Sequence, residues 1–342
     1  MTTTAPPKKA PAPAKRVARP GHWSPGRVLE RYGVVIAWIV VAAFFSILMP
    51  TTFPTFATAT VIFGTQTVIL IAALGLVCSL AVGEYDLSVG SVVGLGASLF
   101  AVLTGLAHWS TWPALVVTIL VCAAVGAVNA IISVAVGVPS IIVTLGIGTF
   151  IAGITLAITG SSVVTGVPAD FVSLMTTPVL GIPLPFYFGV LVTLVIWFVL
   201  QQTPLGRRMI FVEQNREVAR LAGLRVGAIR AGGLIATSVL AGVAGVILAG
   251  TNGAADPQSG GSYLLPAFAA AFLGSTCIIP GRFNAIGTFV AVYFLVTGIT
   301  GLQYEGFAGW PEQVFYGASL VVAVTLSYLA GRRTARRRSR SE

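Results

Sequence analysis

Long apolar runs separated by short polar stretches dominate the chain. Ten of them approach the ~20 residues that a helix needs to cross ~30 Å of hydrocarbon. They are 32–49, 61–82, 90–107, 114–134, 139–159, 184–201, 231–251, 264–279, 284–302 and 311–330. The run 264–279 is short, and a broken or half-inserted segment is expected there. The pattern predicts an all-α polytopic membrane protein with about ten transmembrane helices.

Composition agrees. Hydrophobic residues make up 56% of the 342 and charged residues 9%, against about 25% charged in a soluble domain. A bilayer is the solvent that such a surface requires. The charges are also segregated. All 20 Lys and Arg fall in 1–31, 83–89, 135–138, 202–230, 280–283 and 331–342, while 50–60, 108–113, 160–183, 252–263 and 303–310 hold none. The positive-inside rule then places both termini in the cytoplasm. Asp170, Asp256 and Glu305 fall on the far side, with Trp109, Trp112 and Trp310 at interfacial positions. Residues 1–31, rich in Pro, Ala and basic side chains, read as a disordered cytoplasmic tail. Residues 32–330 form the transmembrane domain, with a cytoplasmic segment at 202–230, and 331–342 form a second basic tail. Ala57-Thr58-Ala59 resembles a cleavage site, but the apolar run before it is longer than a signal peptide's. The net charge of +10 sits at membrane flanks, so the expected partner is lipid and not nucleic acid.

Several chemistries are missing. The only lysines are Lys8, Lys9 and Lys15, so no Walker-type phosphate loop exists. His22 and His108 fall on opposite sides, and Cys78, Cys122 and Cys277 lie in apolar stretches as packing residues. No catalytic set, metal site or cofactor motif is legible, and the expectation is a protein that is not an enzyme. The spans lack the central charges of proton-driven carriers. An ion-coupled secondary carrier for a small polar solute, working through backbone carbonyls, stays open as the alternative. Gly90 and Gly94, like Ala241, Gly245 and Ala249, are spaced four apart, which lets spanning helices approach closely.

The cytoplasmic segment contains a short helix with its own end signals. Asn215 suits the N-cap, Glu217 opposes the positive end of the dipole, and Gly223 suits C′. Val218, Leu221 and Ala222 share one face, Arg216 and Arg220 another. Two turns are not stable alone, so this helix needs a surface to dock on. That surface is either the lipid headgroups or a cytoplasmic partner.

Five blocks, in order, resemble permease subunits of ABC sugar importers of the ribose, xylose and galactoside branch. Gly83-Glu84-Tyr85-Asp86-Leu87-Ser88-Val89-Gly90-Ser91 is similar to that family's G-G-x-D-L-S-V-G-S. Gly126-Ala127-Val128-Asn129, Gly137-Val138-Pro139-Ser140 and Thr144-Leu145-Gly146 resemble its next block. Asn215 through Ala219, Arg220 and Gly223 resemble its N-x-x-A-A-R-x-x-G coupling segment. Pro257 to Tyr263, then Leu273-Gly274-Ser275-Thr276 with Gly281-Arg282, resemble its C-terminal blocks. Glu84, Ser275 and Val218 depart from the family's usual residues, and 50–66 lacks its Asn residues. The resemblance implies a translocation pathway for a pentose or hexose-like sugar across the bacterial inner membrane. It also implies a second permease subunit, identical or homologous, two cytoplasmic ATPase subunits or one fused ATPase, and an extracytoplasmic sugar-binding protein. The residues it marks are Asn215, Glu217, Ala219, Arg220 and Gly223 for ATPase coupling, with Gly83, Asp86, Ser88 and Gly90 as the motif of the first block.

Each motif residue also has a plain structural reading. Asp86 is expected to N-cap a helix starting at Leu87. Gly83 and Gly90 are expected to serve a turn and close helix packing. Gln66, Asn129 and Asn284 are amides in or beside spans, either paired with a neighbouring helix or lining the pathway.

Overall fold

The computed structural model describes residues 25–307 and 309–339. The expectation for the first 24 residues therefore lies outside the described residues. The helices are α1 (Pro25–Leu48), α2 (Phe56–Thr65), α3 (Thr67–Leu80), α4 (Val89–Ala101), α5 (Thr111–Ala130), α6 (Ser140–Thr159) and α7 (Ala169–Thr176). They continue with α8 (Leu184–Trp197), α9 (Pro204–Gln214), α10 (Arg216–Leu221), α11 (Val226–Asn252), α12 (Leu264–Gly274), α13 (Ala285–Tyr304) and α14 (Trp310–Ser339). Short π-helical stretches extend α4, α5 and α8. The strands β1 (Val164–Thr165), β2 (Pro178–Val179), β3 (Ile182–Pro183) and β4 (Ala254–Ala255) pair as β1 with β4 and β2 with β3, both antiparallel.

The chain is thus a polytopic all-α membrane protein. Among the described residues, seven helices are long and apolar enough to cross a bilayer, and eight if α2 and α3, bent by 42° at Gln66, form one span. The expected span 264–279 is an 11-residue helix, about 16 Å long and half of a crossing. It follows a 3₁₀ turn at Ser259–Tyr263 and ends in an irregular loop at 275–284. α14 is long, but its side chains beyond 325 lie outside the described residues. At the other end, α1 starts at Pro25, so 25–31 is helical where a disordered tail was expected. Pro at the first helical position starts a helix without losing a bond.

Every residue of α3 is buried, as expected of a helix apolar all round. α11 lies against it and against α4, and glycines set the spacing. Gly233 faces Cys78 and Val82, Gly96 faces Gly242, and Gly245 faces the α4 backbone at Val93–Ala97. The small-residue spacing in α11 therefore marks a packed helix face, with Ala241 and Ala249 fully buried. α5, α6 and α8 flank this core and turn Leu120, Ile142, Phe150 and Leu191 outward. The three cysteines are buried and free.

The loops sort into two ends. At one, the 83–84 turn meets Arg216 and Arg230, Val134 lies beside Gly227, and the backbone N–H of Ile278 donates to Arg31 O at 2.7 Å. At the other, β1 pairs with β4, and Thr165 lies against Gly105. The described segments assigned to the cytoplasm by charge gather at the first end. Of the segments assigned to the outside, 160–183 and the start of 252–263 meet at the second end through β1 and β4, while Gly260 reaches back to Gly90 and Gly94 at the start of α4.

Candidate functional site

α9 and α10 project the cytoplasmic segment from the helical body. Pro204 begins α9 after Thr203, whose hydroxyl accepts from the N–H of Gly206. Asn215 ends α9 in extended backbone and caps α10, its Oδ1 accepting from the N–H groups of Glu217 and Val218 at 3.1 Å each. The far end closes with two bonds, Leu224 N–H to Ala219 O and Gly223 N–H to Arg220 O. That pair is a Schellman motif, and Gly223 takes the positive φ of +80° that it needs. Both end signals of the sequence therefore operate.

The faces of α10 are unequal. Ala219 is fully buried against Val212, Leu224 and Val226. Leu221 is 87% exposed and Val218 46%, so the apolar face read from the sequence points away from the chain. Arg220 and Glu217 form an exposed pair at 3.4 Å, and such pairs add little stability. Arg216, which falls outside the family motif, is tied down. Its Nη2 donates to Glu84 Oε1 at 2.8 Å and to Gly83 O at 3.0 Å. Glu84 is buried and also takes Arg230 Nε at 2.5 Å. Sequence reasoning registered Glu84 only as a departure from the family. The available signal was an acid at a membrane boundary with six arginines in the 202–230 segment to meet it.

The first motif block is the point where the other blocks meet. Its 85–88 stretch runs along the start of α6. The N–H of Tyr85 donates to Ser140 Oγ at 3.1 Å, that of Leu87 to Thr144 Oγ1 at 2.9 Å, and the single Thr144 hydroxyl proton is shared between Ser140 O at 2.8 Å and Tyr85 O at 3.1 Å. This changes the expected role of Asp86. α4 starts at Val89, not Leu87, and the Leu87 N–H is bound to Thr144 of α6. Asp86 instead makes an Asx turn, accepting from the N–H and hydroxyl of Ser88 at 3.0 and 2.5 Å. Burial pushes its carboxyl up to about 6, and the two Ser88 bonds pull the other way. Asn129 Nδ2 donates to Ser88 Oγ at 2.9 Å, which links α5 to this turn. Gly83 takes a φ of +75° beside Arg216 and Glu213, and Gly90 packs on Gly260 of the fourth block. The Tyr85 ring stacks near Phe272, and Phe272 meets Phe283 edge-on, which brings in the last block.

The three candidate lining amides differ. Asn284 is 1% exposed and caps α13 through Gly287 N–H, while its Nδ2 lies within hydrogen-bond distance of the carbonyls of Gly274, Cys277 and Arg282, which share its two hydrogens. Asn129 is fully buried in the Ser88 network. Gln66 stands at the α2–α3 bend, half-buried, with its Nε2 donating to Thr65 Oγ1. Among the described residues no group of three or more His, Cys, Asp or Glu is arranged to hold a metal ion.

Comparison with known proteins places this geometry. A family model described as "Branched-chain amino acid transport system / permease component" matches residues 58–324. The D-allose transport system permease protein AlsC of Escherichia coli K12 is 29% identical over 300 residues, 88% of this chain and 92% of that protein. The ribose import permease protein RbsC of Haemophilus influenzae is 28% identical over 303 residues, covering 87% and 93%. The autoinducer 2 import system permease protein LsrD of Escherichia coli O9:H4 is 30% identical over 263 residues, covering 74% and 78%. No solved structure matches the chain. The relatives are named as permease proteins of transport or import systems, and the family as a transport permease component. With seven or eight helices among the described residues long and apolar enough to cross a bilayer, a matching family model over most of its length and relatives covered almost end to end, this chain belongs to the permease-component family of ABC importers, as a multi-pass protein of the bacterial plasma membrane.

Proposed function

We propose that this chain forms the translocation pathway of an ATP-binding-cassette importer for a sugar, pentose or hexose-like, with energy entering through α10. The observation that carries the reading is the pose of α10. A capped, positively ended two-turn helix is anchored by Ala219 and Arg216 and presents Leu221 outward. A permease without a nucleotide motif needs such a contact with an ATPase. Two relatives are named for the sugars allose and ribose. The stretches 32–48, 56–80, 89–106, 111–136, 140–159, 184–202, 231–252 and 285–304 contain no Asp, Glu, Lys or Arg. A neutral polyol suits that interior better than an ion, and Gln66 at the bend is the amide best placed to meet one.

The assembly we infer has ten crossings with both termini cytoplasmic. It holds two permease subunits, two ATPase subunits or one fused ATPase, and an extracytoplasmic binding protein. The test is sugar uptake into vesicles reconstituted with and without the ATPase. Uptake is expected to require ATP and to survive collapse of ion gradients. Uptake by this chain alone, driven by an ion gradient, would establish the secondary carrier instead.

A further inference from the structure

Glu84 lies where four elements join. Its carboxylate is 2% exposed, and the single oxygen Oε1 accepts from both Arg216 and Arg230. Arg216 is the first residue of α10, and its Nη2 also holds Gly83 O. Arg230 belongs to the start of α11, and its Nη2 donates at 3.5 Å to Ser133 O in the π-helical end of α5. The backbone N–H of Glu84 donates to Ser79 O at the end of α3. Among the hydrogen bonds and ion pairs of the described residues, those of Arg216 are the ones that join α10 to the α3–α4 turn. The apolar anchor at Ala219 reaches only α9, Leu224 and the start of α11.

We propose that Glu84 is a positioning residue for energy coupling: it binds α10 to the α3–α4 turn and to α11, so that a displacement of α10 moves both spans. The proposal rests on the reading of α10 as the ATPase contact. Charge-assisted bonds to a buried carboxylate are short and directional, and the partner left behind when one member is removed is costly to bury. The apolar contact at Ala219 has no such directionality. With the ionic tie gone, α10 still docks, but its motion is taken up locally.

The experiment is solute transported per ATP hydrolysed, in vesicles containing the full complex with its ATPase and binding protein. Glu84→Gln keeps the shape and an acceptor but loses the charge that holds two guanidiniums. The expected result is a fall of about tenfold in that ratio, at unchanged assembly and with ATPase activity retained. Glu84→Asp should recover part of it. A wild-type ratio in assembled Glu84→Gln overturns the proposal. If Glu84→Gln does not assemble, Arg216→Lys decides, since it keeps the charge but its Nζ ends one bond short of the Nη2 that reaches both Gly83 O and Glu84 Oε1. An unchanged ratio there also overturns it. Leu221→Ala, run in parallel, separates the two ideas. Loss of transport in Leu221→Ala with a normal Glu84→Gln overturns the tie alone. Normal transport in Leu221→Ala and Gly223→Val overturns the coupling reading.

Discussion

Gly90 and Gly260 meet backbone to backbone. A Cβ on Gly90 would lie 2.6 Å from Gly260 O, and one on Gly260 would lie 2.7 Å from Gly90 O. The first turn of α4 thereby holds the 3₁₀ turn that leads into half-length α12. Gly90→Ala should force the two segments apart and cost about 1–3 kcal/mol, as overpacking does. Gly146→Ala, whose Cβ meets nothing within 4 Å, should leave stability unchanged. Thermal inactivation of the detergent-solubilised protein reports the difference, and equal loss in both variants would refute it.

Gly223→Val should abolish uptake while leaving the chain inserted. Its Cβ meets nothing within 4 Å in this chain, so the internal cost comes from the φ of +80°, about 1–2 kcal/mol for a residue with a side chain. The Schellman motif opens, and a valine stands beside the docking face. Gly223→Asn, which tolerates that φ, should retain more uptake. Arg220→Ala should weaken uptake through a partner contact, because among the described residues the Arg220 side chain pairs only with exposed Glu217. Uptake and ATPase activity in reconstituted vesicles check all three. Normal transport in both Gly223→Val and Arg220→Ala would make α10 a mere surface turn.

Thr144→Val tests the seam between the first and second blocks. It is nearly isosteric, but it deprives the Leu87 N–H and the Tyr85 carbonyl of their shared partner. A loss of about 1–3 kcal/mol is expected for a buried donor left unpaired. Ser140→Ala, which removes only the Tyr85 N–H bond, should lose less. Hydrogen exchange at 85–88 should rise in Thr144→Val, and an unaltered rate would show that the seam holds without the hydroxyl.

Orientation is testable with single cysteines. Arg282 lies in the loop near the Arg31 end, and Val163, 56% exposed, lies at the β1 end. Val163 suits a cysteine better than Gly166, whose φ is +96°. Impermeant labelling of Val163→Cys from outside intact cells, with Arg282→Cys protected, is expected. Labelling of both from the same side would overturn the topology.

Short-range signals were legible in the sequence by itself. The apolar runs and the partition of basic residues indicated a membrane protein and two distinct ends. Asn215, Gly223 and the face holding Val218 and Leu221 act within a few residues of one another, and they behave in the structure as their spacing implies. Tertiary structure decided what depends on the path of the whole chain. Asp86 closes a turn on Ser88 ahead of a helix that begins at Val89, and the Leu87 N–H goes to a threonine 57 residues away. Arg216 is an anchor and not a bystander, because Glu84, 132 residues away, lies under it. α12 ends at Gly274 although its apolar run continues to 279, and the loop that follows closes on Asn284, whose amide lies beside the carbonyls of Gly274, Cys277 and Arg282. Caps and amphipathic faces are set by neighbours within a turn or two of helix, so local sequence is enough to specify them. The partners of a buried carboxylate or an amide are chosen by how distant helices pack, and no local spacing encodes that choice.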